Sequence, residues 1–142
     1  MFLRVSPKMY RGPQPYFEDL QKLQSQGLTL VVNLRAECSD SEVYCQQLGL
    51  DYQFIPVPDW GVPQDTQVLD FLARLQEKPS PKALVHCFQG IGRTGIFVTC
   101  YRVQLGMDLE EAIEISDQET PELGMSTQQR QWLRSFAPKI QC

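Results

Sequence analysis

Two spacings of apolar residues run through this chain. Short, nearly unbroken apolar runs read as buried strands, and apolar residues every three or four positions read as amphipathic helices. Residues 2–10 read as one or two short strands ending at Arg11-Gly12-Pro13. Phe17, Leu20 and Leu23 keep helical spacing within 16–26, and Gly27 stops that helix. The run Leu28-Thr-Leu-Val-Val-Asn-Leu34 predicts a buried strand, and a helix follows over 39–48, closed by Gly49. Residues 51–57 predict the next strand. Val68, Leu69, Phe71, Leu72 and Leu75 mark the apolar face of the helix after it. Ala83-Leu-Val85 predicts a strand ending at His86-Cys87, and the nearly uncharged run 96–101 a buried helix. Leu109-Glu-Glu-Ala-Ile-Glu-Ile115 opens another helix with Asp108 as its cap. Pro121 and Gly124 interrupt, and 126–136 predicts a last helix with Trp132, Leu133 and Phe136 toward the core.

Strands alternating with helices imply an α/β fold. The expected architecture is a central, mostly parallel sheet of about four to five strands flanked by helices. Such sheets hold ligands beyond the carboxyl ends of their strands. Arg35, Asp59 and Cys87 each follow a predicted strand, so one end of the sheet can gather all three.

The segment from Cys87 to Arg93 carries the chemistry. It is a glycine-bearing loop between a strand and a helix, an arrangement in which backbone N–H groups converge on an anion at a helix N-terminus. Gly90 and Gly92 allow the loop to curl tightly, which turns the amides of Phe88, Gln89, Gly90, Ile91 and Gly92 inward as a cradle. Arg93 can give two parallel hydrogen bonds to phosphate oxygens, which lysine cannot. Cys87 lies at the base of the cradle, where amides, helix dipole and Arg93 all favour a thiolate. Thr94 is expected to place its hydroxyl near the sulfur, and His86 to hold the loop through its ring nitrogens.

A thiolate that attacks a phosphate monoester needs an acid to protonate the departing oxygen. Pro58-Asp59-Trp60-Gly61 supplies one in Asp59, on a loop stiffened by Pro56 and Pro58. Asp65 is the second choice and reads more simply as an acidic first-turn helix residue. Trp60 either flanks the pocket mouth or anchors its loop.

The chain has 142 residues, enough for a single domain over 1–142 with a sizeable core. Its net charge of −4 and lack of a basic run argue against a nucleic-acid partner. No apolar segment approaches membrane-spanning length, so no membrane partner is expected. Residues 1–7 are too short and too quickly polar for a secretion leader, so a cytoplasmic location is expected. Five cysteines with no paired framework fit reduced thiols in a reducing compartment. A single histidine and the absence of Cys-x-x-Cys leave no metal site to expect.

His86-Cys87-x5-Arg93-Thr94-Gly95 resembles the phosphate-binding signature of the cysteine-dependent protein tyrosine phosphatase superfamily. The likeness is strongest to its small dual-specificity branch, compact atypical members included. Pro58-Asp59-Trp60 resembles the general-acid loop of that family. Tyr10-Arg-Gly-Pro-Gln-Pro15 and Val32-Asn-Leu-Arg35 look like segments of small microbial phosphatases of the same superfamily. The resemblance implies hydrolysis of phosphate monoesters through a phosphocysteine, with no metal or organic cofactor. It also implies a phosphorylated protein or small aryl phosphate as substrate. Gln128 or Gln129 would position the hydrolytic water, as a glutamine does in some relatives, and Arg35 would either line the rim or pair with Glu37. Phosphoinositide or inositol phosphate hydrolysis is the alternative substrate class. The loop carries no lysine beside Arg93, which favours a singly phosphorylated substrate. A non-catalytic phosphate-binding module and a sulfur-transfer or arsenate-reducing protein are further alternatives. The sequence departs from dual-specificity relatives at Ser116-Asp-Gln-Glu-Thr-Pro121, which is acidic where they often carry an Arg-Pro pair.

Overall fold

The computed structural model describes residues 2–141. Five strands, β1 (Leu3–Ser6), β2 (Met9–Gly12), β3 (Leu30–Arg35), β4 (Asp51–Val57) and β5 (Ala83–His86), form one sheet in the order β1-β2-β5-β3-β4. Only β1 runs antiparallel to its neighbour; β2, β5, β3 and β4 are parallel. Six helices pack around the sheet: α1 (Phe17–Ser25), α2 (Asp40–Leu48), α3 (Asp65–Leu75), α4 (Gly92–Gln104), α5 (Leu109–Glu119) and α6 (Thr127–Phe136). The α/β architecture is the one that the hydrophobic pattern predicts.

Alternation within the strands divides the core in two. Leu30, Val32 and Leu34 of β3 and Val85 of β5 join Val68, Phe71, Ile96, Phe97, Ile113, Leu133 and Phe136 beneath α3 to α6. Phe71 and Phe97 meet edge to face at 5.2 Å. Val31 and Leu84 point the other way, onto Leu20, Leu23 and Cys45 of α1 and α2. Covered on both faces, β3 and β5 can be apolar throughout, which explains their uninterrupted runs.

Three expectations are corrected. Leu69 is exposed rather than part of the apolar face of α3, because Val68, Phe71 and Leu72 already fill the contact. The strand predicted from residue 28 begins at Leu30; Leu28 is buried in the connection, and the N–H groups of Thr29 and Leu30 both reach the carbonyl of Lys82. The helix expected from residue 96 starts at Gly92, so Arg93 and Thr94 lie in its first turn. Both are buried despite their polarity, which is why an apolar pattern misses them. No described helix is long and apolar enough to cross a membrane.

Candidate active site

The parallel strands β2, β5, β3 and β4 release their carboxyl ends on one side of the sheet. Around that side lies a cavity of about 220 Å³, lined in part by Asp59, Trp60, Cys87, Arg93, Leu123 and Gln129. Phe88, Gln89, Ile91, Gly92 and Gly124 complete its lining. Of the three residues expected to gather there, Cys87 and Asp59 line the cavity; the guanidinium that lines it belongs to Arg93, at the start of α4, and Arg35 does not.

The loop between β5 and α4 is shaped by the end of β2. Gly90 has φ +77°, and any side chain there would begin 2.5 Å from the carbonyl carbon of Gly12. Only glycine satisfies both constraints. The N–H of Gln14 donates to the carbonyl of Phe88 at 3.0 Å, and Arg11 Nη2 donates to the carbonyl of Gly90 at 3.1 Å. Two alternate carbonyls are thereby held by the β2 segment. Among the described residues, no group accepts the N–H of Gln89, Gly90 or Ile91. Arg11 is itself buried, and its Nη1 donates to Ser116 Oγ at 2.9 Å and to Glu119 Oε1 at 2.8 Å. Burial pulls its pKa below the ordinary arginine value, with Glu119 opposing that pull. Arg102 grips the same Glu119 through both of its terminal nitrogens.

Cys87 is buried at the head of this loop, and Thr94 Oγ1 donates to its Sγ at 3.0 Å. His86 is fully buried behind it. The backbone oxygen of Cys87 can only accept, so the contact at 3.3 Å places the proton on His86 Nδ1. Nε2 then accepts from Ser41 Oγ at 3.0 Å. Burial lowers the His86 pKa to about 4, against a usual 6.5, so the ring is neutral at working pH. Between pH 6.5 and 4 the unfolded chain binds a proton that the native chain refuses, so stability declines as pH falls through that window. His86 is the only histidine, which makes the check direct. Its ring resonances in NMR should stay those of the neutral Nδ1–H tautomer down to pH 5; titration near the unperturbed value would refute the buried, neutral assignment.

Arg93 is held before any substrate arrives. Glu37 takes its outer edge, with Oε1 accepting from Nη1 at 2.8 Å and Oε2 from Nη2 at 3.1 Å. The second Nη1 hydrogen goes to the carbonyl of Val57 at 3.0 Å. The edge formed by Nε and the second Nη2 hydrogen remains, and Asp59 Oδ1 stands 3.3 Å from that Nη2. The hydrogen bond from Arg93 holds the Glu37 carboxyl down at about 2, so it stays ionised. Its contribution to stability is therefore complete above the ordinary carboxylate range and is lost as pH falls toward 2.

Asp59 and Trp60 sit at the tip of a tight turn, closed by the N–H of Gly61 donating to the carbonyl of Pro58 at 2.8 Å. Trp60 adopts φ +62°, the left-handed region, at a cost of about 1–2 kcal/mol for a residue with a side chain. Its N–H donates to Asp59 Oδ1 at 3.1 Å, and the residue, which lines the cavity, is 60% exposed. Backbone strain of this kind gathers at functional sites. Asp65, the second choice for the acid, does not line the cavity; it begins α3 and pairs with Lys139. Gln129 is buried and lines the cavity, whereas Gln128 is exposed on α6 and does not, so the glutamine expectation narrows to Gln129. Arg35 lies at the edge of the site, paired with Glu37 at 2.9 Å and stacked 4.9 Å over the Phe88 ring. Glu37, Arg11, Ser41 and Leu123 are the site residues that sequence reasoning did not single out. For Arg11, the Tyr10–Pro15 segment was the one signal in the sequence.

Comparison with known proteins shows the family to which the chain belongs. A family model described as "DSP-PTPase phosphatase fused to NAD+ Kinase" matches residues 4–135. The chain belongs to this cysteine-dependent dual-specificity and tyrosine phosphatase family. It is 32% identical to the dual specificity protein phosphatase TpbA of Pseudomonas aeruginosa over 114 residues, 78% of this chain and 50% of that protein. It is 30% identical to protein tyrosine phosphatase type IVA 3 of Bos taurus over 133 residues, 87% of this chain and 71% of that one. The crystal structure of Tk-PTP in its active form superposes with a TM-score of 0.86, covering 98% of this chain and 97% of that one. At 22% identity, that likeness establishes the fold. The chain spans about half the length of several curated relatives that it matches.

Proposed function

We propose that this chain acts as one phosphatase domain that hydrolyses phosphate monoesters through a phosphocysteine. The observation that carries the proposal is the convergence of Cys87, Arg93 and Asp59 on one cavity, with Thr94 already bonded to the sulfur. The substrate phosphate enters the cradle of Gln89, Gly90 and Ile91 amides and takes the open Nε–Nη2 edge of Arg93, displacing Asp59 from that guanidinium. Cys87 Sγ attacks phosphorus in line. The S–P bond forms, the bond to the leaving oxygen breaks, and the proton of the Asp59 carboxyl goes to that oxygen. Water then attacks phosphorus, Asp59 takes its proton, and the sulfur leaves as a thiolate steadied by Thr94. Gln129, by its place in the cavity, is near the path of that water.

The substrate class follows from charge and shape. Among the described lining residues, Arg93 is the sole cation, while Trp60, Phe88 and Leu123 are all exposed. One phosphate finds partners; the further phosphates of an inositol polyphosphate do not. An aryl monophosphate such as phosphotyrosine fits best, with phosphoserine and phosphothreonine as lesser substrates. Free thiols at Cys38, Cys45, Cys87 and Cys100 suit a reducing, cytoplasmic setting. The test is direct. Acid quenching during turnover of an aryl phosphate, followed by mass analysis, should show a phosphoryl group on Cys87. Turnover with no phosphorylated Cys87 peptide at any quench time would discard the covalent route.

A further inference from the structure

Gln129 is 1% exposed, although its side chain is a polar amide. Such a group is buried at a loss unless its hydrogen bonds are made. Two of them are made, and they point in opposite directions. Oε1 accepts from the N–H of Ser126 at 2.9 Å, while Ser126 Oγ accepts from the N–H of Gln129 at 3.1 Å, the reciprocal cap that starts α6. That cap fixes which end of the amide is oxygen. Nε2 therefore faces away from the helix start and donates to the carbonyl of Gly61 at 3.1 Å, 68 residues distant in sequence.

Gly61 closes the turn that carries Asp59. The other end of the turn is held as well, since Arg93 Nη1 donates to the carbonyl of Val57. Between these two anchors lie Asp59 and the left-handed Trp60, a conformation the chain would relax if an anchor were lost. The amide of Gln129 also rests against the loop beneath: a side chain at Gly92 would begin 3.0 Å from both its Nε2 and its Oε1. One amide thus spans α6, the nucleophile loop and the acid turn.

We infer that Gln129 is a positioning residue that latches the Asp59 turn over Cys87, so that its main effect on catalysis passes through the acid. This rests on the phosphatase reading above and goes beyond placement of the hydrolytic water. The cap and the latch use different ends of the amide, which makes them separable. Gln129→Glu keeps the acceptor for Ser126 and removes the donor to Gly61, because a capping box accepts either residue. Gln129→Met removes both without adding charge, and so controls for repulsion between a new carboxylate and the substrate.

The experiment measures kcat/KM, which reports the steps through formation of the phosphocysteine, on two aryl phosphates, one with a basic phenol as leaving group and one with an acidic phenol. It is run on wild type, both Gln129 variants, Asp59→Asn and the combined variants. Both Gln129 variants should lose about 10–100-fold on the basic phenol and less than about 3-fold on the acidic one, which needs little protonation. Added to Asp59→Asn, either should cost less than about 2-fold more, since the group acted upon is already gone. Inhibition by inorganic phosphate should stay within about 3-fold of wild type for Gln129→Met. Equal losses on both substrates, or a full additional loss in the Asp59→Asn background, would overturn the latch. So would a second step that a Gln129 variant slows further in the Asp59→Asn background, with phosphocysteine accumulating. Wild-type protein that hydrolyses neither substrate would instead overturn the phosphatase reading itself.

Discussion

Replacing Cys87 with serine should abolish turnover of an aryl phosphate, by at least about 10⁴-fold, while leaving phosphate binding intact. The two halves of this expectation come from different atoms. Turnover needs a strong nucleophile at the base of the cradle, and a serine hydroxyl is a weak one with no base beside it. The immediate partner of Cys87 Sγ is Thr94 Oγ1, a donor, and His86 is turned away, with Nδ1 on a backbone carbonyl and Nε2 on Ser41. Among the described residues, none is placed to take the proton of a serine. Binding, by contrast, rests on the loop amides and on Arg93, which is held by Glu37 and the carbonyl of Val57. None of these contacts involves the sulfur. Calorimetric titration with inorganic phosphate or vanadate should therefore give the variant an affinity close to that of wild type, since the groups that hold the anion are unchanged. Retained hydrolysis in Cys87→Ser would mean that water or another side chain attacks directly.

The chemistry near Cys87 was readable because it is local. A strand, two glycines, an arginine and a threonine close together in sequence specify a loop, and glycine at position 90 is demanded by a neighbour 2.5 Å away. The sheet was readable for a similar reason, since strands covered on both faces must be apolar along their whole length. What was hidden is the set of groups that hold the loop from a distance. Glu37 reaches Arg93 across 56 residues, Arg11 reaches Gly90 across 79, and Arg11 reaches Glu119 across 108. A charged residue bound for a buried pair carries no mark in sequence that separates it from a solvated one. Thus Glu37 was visible only as a partner for Arg35, and Glu119 only as part of an acidic departure from relatives. In the folded chain that acidic residue neutralises Arg11 and Arg102, both otherwise buried cations. The start of α4 was displaced for the same cause. Arg93 and Thr94 look like loop residues by polarity, yet their side chains are satisfied internally and the helix begins before them.

The second large effect belongs to Asp59. Asn is nearly isosteric and keeps an oxygen for the N–H of Trp60, so the turn at Pro58–Gly61 should persist. What Asn lacks is the proton to give and the charge that pairs with Arg93 at 3.3 Å. Loss of the proton should slow formation of the phosphocysteine from phenyl phosphate or phosphotyrosine by about 10²–10⁴-fold, and markedly less from a nitrophenyl ester whose phenoxide leaves unaided. Loss of the charge acts the other way on binding. Substrate no longer competes with a carboxylate for the Nε–Nη2 edge of Arg93, so KM should stay level or fall while kcat drops. The pH profile supplies an independent sign. A general acid must be protonated to act, so wild-type kcat should decline as pH rises, and Asp59→Asn should lack that basic limb. Asp65→Asn is the matched control, because Asp65 pairs with Lys139 outside the cavity and should change kcat by less than about 2-fold. If Asp65→Asn instead flattened the profile and raised leaving-group sensitivity, the acid would have to reach the cavity from α3. The turn closed by Gly61 would then be scaffolding rather than chemistry.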